Sequence, residues 1–223
     1  MPGAADFGAL HSPSPARVGV PSTFLSGVYG ARLRVVGSSQ VTLRHLIDLE
    51  DVPGPFHAHV AEYLRGHPEG GIDIVDGPVT DVMPELRGQT PRGWPAGSTW
   101  AQVPGLLDTE TRRLVISGHD RPRLSALHEF GHAVDFAGGL WSGSKEFTDL
   151  YDRLGALSPY RAQPGVAGRQ ETFADAFAAW AHHRHWSDDA RALSIADTLD
   201  LSADKKHMSI ALDRYFSTLQ DSL

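Results

Sequence analysis

The spacing of apolar residues changes partway along the chain. From Arg32 to Val36 apolar and polar positions alternate as in a strand, and Ile72 to Val75 is a second short β-type run. Between them Val41, Leu43, Leu46 and Ile47 recur at helical spacing within Val41 to Glu50, and Phe56 to Leu64 repeats the pattern. Trp100 to Leu107 and Arg112 to Ser117 read as the two strands of a hairpin, with Asp108, Thr109, Glu110 and Thr111 as its polar turn. Pro104 and Gly105 place the first of these strands at a sheet edge, because proline cannot donate to a central ladder. Residues 87–99 carry three Gly and two Pro and read as a loop.

Beyond Asp120 the period is helical. A helix over 122–137 is expected, with Pro122 in its first turn and Gly138 and Gly139 at its stop. Further helices follow over 144–155, 169–184, 188–199 and 203–219, with a Pro- and Gly-bearing loop from Ser158 to Gly168 between the first two. Residues 1–24, rich in Pro, Ala, Gly and Ser, read as a flexible lead-in. The layout is α+β: a single domain over 25–223. A mixed β/α N-terminal lobe covers about 25–137 and a helical C-terminal lobe about 138–223, with the 122–137 helix between them.

Composition narrows the chemistry. The 223 residues carry a formal net charge of −7, which argues against a nucleic-acid groove or a polybasic membrane surface. Cysteine is absent, so disulfides, thiolate catalysis, Cys-ligated zinc and iron–sulfur clusters are excluded. Any metal must be held by carboxylates and by some of the 12 histidines. No apolar run approaches the ~18 residues that span a bilayer. The first twenty residues lack the basic start and apolar stretch of a signal peptide.

The expected junction helix contains His128, Glu129, Phe130, Gly131 and His132. Two histidines four apart share a helix face and can chelate one ion from consecutive turns, while the adjacent glutamate leans over a bound water without ligating. Random placement of this chain's His and Glu gives such a motif about 0.02 times. A third protein ligand would leave one coordination position open. The metzincin pattern requires a glycine at position 135 and a histidine at 138, and the chain has Asp135 and Gly138. A carboxylate from a later helix is the alternative. Glu171 and Asp175 form an i,i+4 pair on one face, and by helical geometry alone either reaches the metal; Glu146 is a weaker rival at a helix start. Ala174, Ala176 and Ala178 let that helix lie close to a neighbour. Asp135, one turn beyond His132, is expected to orient a ligand histidine or to pack against the second lobe.

The segments HEFGHAVD and ETFADAF, together with RGWPAGSTW and VPGLLD before them, resemble the catalytic domain of anthrax lethal factor and the related Pro-Pro endopeptidases over roughly residues 90–180. The resemblance implies a zincin-like fold and one zinc ion per chain, held by His128, His132 and Glu171. It implies Glu129 as general base, Tyr160 as the donor that stabilises the oxyanion, and Asp175 as an acid behind the ligands. The expected activity is a zinc-dependent endopeptidase acting on a protein or peptide substrate. That substrate lies extended along the edge strand at Gly105, Leu106 and Leu107. A secreted, toxin-like monomer without nucleic-acid or membrane partners is expected. The rival readings are a noncatalytic binding module on a peptidase scaffold and a metal-dependent hydrolase of a non-peptide bond. His182, His183 and His185 near Trp180 and Trp186 read as a solvated face, His57, His59, His67 and His119 as scattered, and Arg112 and Arg113 as surface.

Overall fold

The computed structural model describes residues 23–91, 94–118, 124–155, 157–202 and 206–223. Four strands, β1 (Leu33–Val36), β2 (Gly71–Val75), β3 (Gly105–Asp108) and β4 (Arg113–Ser117), form one sheet in the order β1-β2-β4-β3. The first three in that order run parallel, and β3 turns back antiparallel at the edge. The parallel β1–β2 pair needs a crossover, which α2 (Gln40–Glu50) and α3 (Gly54–Arg65) supply. Strand β2 is buried along its whole length and contains Asp73. That carboxylate is bonded by Arg34 of β1 at 2.6 Å and by Arg113 of β4 at 2.5 Å, so the charge taken into the sheet is paired from both sides. Arg113 is therefore half-buried and paired, not a free surface residue. Arg112 is likewise engaged, with its guanidinium over the Tyr63 ring and bonded to the Tyr63 carbonyl.

The helices of the second half are α4 (Ser125–Ala137), α5 (Lys145–Leu154), α6 (Ala167–His182), α7 (Asp188–Thr198) and α8 (Lys206–Ser222). Helix α4 touches β3 and β4 on one side and α6 on another, with α2 and α3 also against it. A continuous core joins the two lobes through it: Phe56 of α3, Phe130 of α4, Phe147 of α5, Phe173 and Phe177 of α6, and Phe216 of α8 are all fully buried. Burying a side chain of this size contributes roughly 1.5–3 kcal/mol relative to exposure, so these rings bind the halves into one unit.

Three features refine the sequence reading. Trp100 to Gln102 form a 3-10 turn, not strand, because Thr99 and Gln102 make a reciprocal capping box; the strand starts only after Pro104. The expected lead-in, to about residue 24, meets helix α1 (Thr23–Tyr29) at Thr23, and this helix anchors Leu25 and Tyr29 in the core; residues 1–22 lie outside the described residues. The junction helix starts at Ser125, after Leu124 in a left-handed conformation (φ 92°); Pro122 lies outside the described residues.

Candidate metal centre

Helices α4 and α6 cross at a contact between main chains. A Cβ added to Gly131 would lie 2.9 Å from Cα of Ala174, so position 131 has no room for a side chain. This approach faces His128 and His132 toward Glu171 and Asp175. The Nε2 atoms of the two histidines are 3.2 Å apart, and Glu171 Oε2 lies 3.3 Å from one and 3.4 Å from the other. Among the described residues this is the one group of three His, Asp or Glu whose ligand atoms converge closely enough to hold an ion. Donors about 2.0–2.1 Å from a tetrahedral metal stand about 3.3 Å from one another, so the triangle has the size of one face of such a site. Two imidazole nitrogens and one carboxylate oxygen suit zinc.

The groups behind the triangle support that fit. Asp175 Oδ1 lies 2.7 Å from His128 Nδ1, so this nitrogen carries the proton and Nε2 is the atom a cation can take. The other oxygen of Asp175 accepts from Arg161 Nε at 2.7 Å, and the same guanidinium bonds the Thr198 carbonyl at 2.7 Å. Burial alone would raise the carboxyl of Glu171, but hydrogen bonds from His128 and His132 hold it well below the carboxylate range. Asp175 is likewise lowered, its burial outweighed by His128 and Arg161. His128 is raised despite burial, by Asp175 and Glu171. A cation at the triangle takes the place of the proton these acids favour.

Glu129, next to His128 on α4, adjoins the centre. It is buried, and burial pushes its carboxyl upward against the opposing pull of His128 and His132. Its side chain lies against the edge strand: a Cβ added to Gly105 would be 2.6 Å from Cγ of Glu129. The Tyr160 hydroxyl reaches Glu171 Oε2 at 2.5 Å, and burial and the repulsion of that carboxylate push its ionisation far upward, so it remains a donor. A cavity of about 280 Å³ opens beside these groups, lined by Pro104, Leu124, His128, Tyr160, Asp175 and Thr198. A wider groove of about 540 Å³ adjoins it through Leu124 and Thr198.

The structure thus brings together His128, Glu129, His132, Tyr160, Glu171 and Asp175, with Gly105 on the adjoining strand. It separates Asp135 from the ligands: both its oxygens accept from Ser142, backbone N at 2.6 Å and Oγ at 2.7 Å, so it caps the turn after α4. Asp135 is thus engaged by Ser142 of the following turn. Glu146 is exposed in the first turn of α5 and takes no part in the cluster. His182 and His183 line the wider groove with Trp186, while His185 is exposed. His57 is a core residue; His119 lies outside the described residues. Arg161 was not foreseen, and its only signal in the sequence is its place next to Tyr160.

A helix bearing two metal-competent histidines beneath a sheet edge, with a third donor on a later helix, defines a zincin-like α+β fold. Residues 62–192 match the family described as anthrax toxin lethal factor, N- and C-terminal domain, and the chain belongs to that family. Among solved structures it is similar to the Pro-Pro endopeptidase of Paenibacillus alvei, with a TM-score of 0.62 at 20% identity, over 86% of this chain and 99% of the other. No curated protein sequence matches the chain.

Proposed function

We propose that this protein is a zinc-dependent endopeptidase in which His128, His132 and Glu171 hold the ion. The observation that carries the reading is the donor triangle of 3.2–3.4 Å, set between a buried glutamate and a tyrosine hydroxyl beside an edge strand. Membership of the lethal factor family and the likeness to a Pro-Pro endopeptidase support it. Zinc, when bound, supplies the Lewis acidity that polarises the scissile carbonyl and makes water a nucleophile near neutral pH. Glu129 takes the proton from the attacking water and returns it to the leaving amine; its raised carboxyl suits both halves of that transfer. The Tyr160 hydroxyl donates to the oxygen on which charge develops, a contribution of about 3 kcal/mol if it acts as a typical single donor. The substrate lies extended against β3, whose outer edge has no partner strand among the described residues, and the main chain of Gly105, Leu106 and Leu107 fixes its register.

The enzyme in this reading works as a monomer on protein or peptide substrates outside the cell. No helix among the described residues is long and apolar enough to cross a membrane. The test is a peptide-library digest with the zinc-loaded protein, the chelated protein and Glu129→Gln. Cleavage is expected only from the first, with Glu129→Gln retaining zinc near one per chain. Cleavage that persists after chelation, or a zinc-loaded protein that cleaves no peptide, removes the reading.

A further inference from the structure

We infer that Arg161 is a positioning residue that ties the metal-ligand orientation and the oxyanion donor to one guanidinium. The inference rests on the peptidase reading for its kinetic part and on the donor triangle alone for its metal part. Arg161 follows Tyr160 directly, and its side chain is 14% exposed. It turns away from solvent to meet two elements: Nε donates to Asp175 Oδ2 on α6, and a terminal nitrogen donates to the Thr198 carbonyl at the end of α7, each at 2.7 Å. Its own carbonyl accepts from the Tyr151 hydroxyl of α5 at 2.7 Å. The residue is therefore gripped from three helices, and the loop cannot slide without breaking these contacts.

Two consequences follow from that grip. With one oxygen held by Arg161, the Asp175 carboxylate has a fixed rotation, and its other oxygen stays aimed at His128 Nδ1 at 2.7 Å. This keeps the Nε2 lone pair directed into the triangle. The same anchor fixes the backbone from which the Tyr160 phenol projects, and the hydroxyl bond to Glu171 sets the ring's direction from it. The Tyr160 carbonyl is held as well, by Gln163 Nε2 at 2.8 Å. Ligand orientation and transition-state donation thus share one support.

The test compares wild type with Arg161→Met, which keeps the stem and removes the fork, and Arg161→Lys, which keeps charge without the two-directional geometry. Zinc affinity is measured by competition with a chromophoric chelator, and kcat and KM on a cleaved peptide. Arg161→Met is expected to bind zinc about 10-fold more weakly, in the range seen for loss of a group behind a ligand. When saturated with zinc it is expected to lose about 10- to 100-fold in kcat with KM within a few-fold. Arg161→Lys is expected to recover the zinc affinity in part and the kcat less. In a Tyr160→Phe background the kcat loss from Arg161→Met should shrink, since the donor it positions is gone. Wild-type zinc affinity in Arg161→Met, or kcat losses that simply add to those of Tyr160→Phe, would overturn the inference. Should Arg161→Met not fold, Arg161→Lys with unchanged zinc affinity and kcat would overturn it equally. If no peptide is cleaved by wild type the peptidase reading fails, whereas the zinc-affinity comparison still decides the metal part.

Discussion

Gly105 on the edge strand and Glu129 on the metal helix are in direct contact, and the missing side chain of one makes room for the other. A Cβ at position 105 would stand 2.6 Å from Cγ of Glu129 and 2.6 Å from the Val115 carbonyl oxygen. In the proposed reading, a substrate strand added to this edge would lie beside the Glu129 carboxyl.

Gly105→Ala is expected to retain zinc and lose about 10- to 100-fold in kcat/KM. The new methyl must push either the Glu129 side chain or the strand out of place, and sub-ångström positioning matters at a reacting centre. Zinc content and peptide kinetics of the purified variant check it; full activity would mean that the strand moves freely and does not position substrate.

Glu171→Ala should leave the protein without stoichiometric zinc, because two imidazoles alone bind the ion weakly. Asp175→Ala should keep the site but weaken it about 10- to 100-fold, because it removes the acceptor at His128 Nδ1 and not a donor to the metal. Metal analysis after dialysis distinguishes the two acids. A zinc-replete Glu171→Ala would transfer the ligand role elsewhere.

Tyr160→Phe should reduce kcat by roughly 10²–10³ with zinc content and KM nearly unchanged, as for a donor needed only while charge develops. Tyr151→Phe and His182→Ala serve as comparisons. Tyr151 spends its hydroxyl on the Arg161 carbonyl and His182 lines the outer groove, so both should fall short of that loss. If Tyr160→Phe keeps full activity, the hydroxyl beside Glu171 has another purpose.

Acid should unfold the protein partly through His57. Its ring donates to the Leu49 carbonyl at 2.8 Å and pairs with the Tyr29 hydroxyl at 2.8 Å inside the core. Burial, only partly opposed by the Leu49 hydrogen bond, pushes it from 6.5 down to about 4. The unfolded chain binds this proton below about pH 6.5 while the folded chain refuses it until about pH 4. The stability is whole above that window and falls within it, by about 3 kcal/mol in total. Thermal unfolding from pH 8 to 4 should show a steeper acid slope for wild type than for His57→Gln; equal slopes would assign the acid limb to other groups.

The parts of the site legible in the sequence are those whose geometry is local. His128 and His132 share a helix face whatever surrounds them, as do Glu171 and Asp175, and Pro104 keeps its strand at an edge in any sheet. Ala174 announced a close helix contact, and the contact is there against Gly131. What the sequence did not carry depends on partners distant along the chain. Arg161 meets Asp175 and Thr198, 14 and 37 residues away, and only its place next to Tyr160 marks it in the Ser158–Gly168 loop. Arg113 looked like surface because its burial depends on Asp73 of a neighbouring strand. Asp135 sits one turn from a ligand, but its direction is set by the Ser142 turn, which helical spacing cannot reveal.

The crossing of α4 over α6 has a consequence for how an ion is taken up. Because Gly131 and Ala174 set the helix separation by main-chain contact, the spacing of the three donors is decided when the core forms. In the proposed reading, an arriving cation would meet a finished socket and need not recruit its ligands from a loose chain. Loading and unloading should then be reversible exchange at a folded surface. The heat capacity of zinc binding should correspondingly be small, unlike that of a protein whose metal completes its folding.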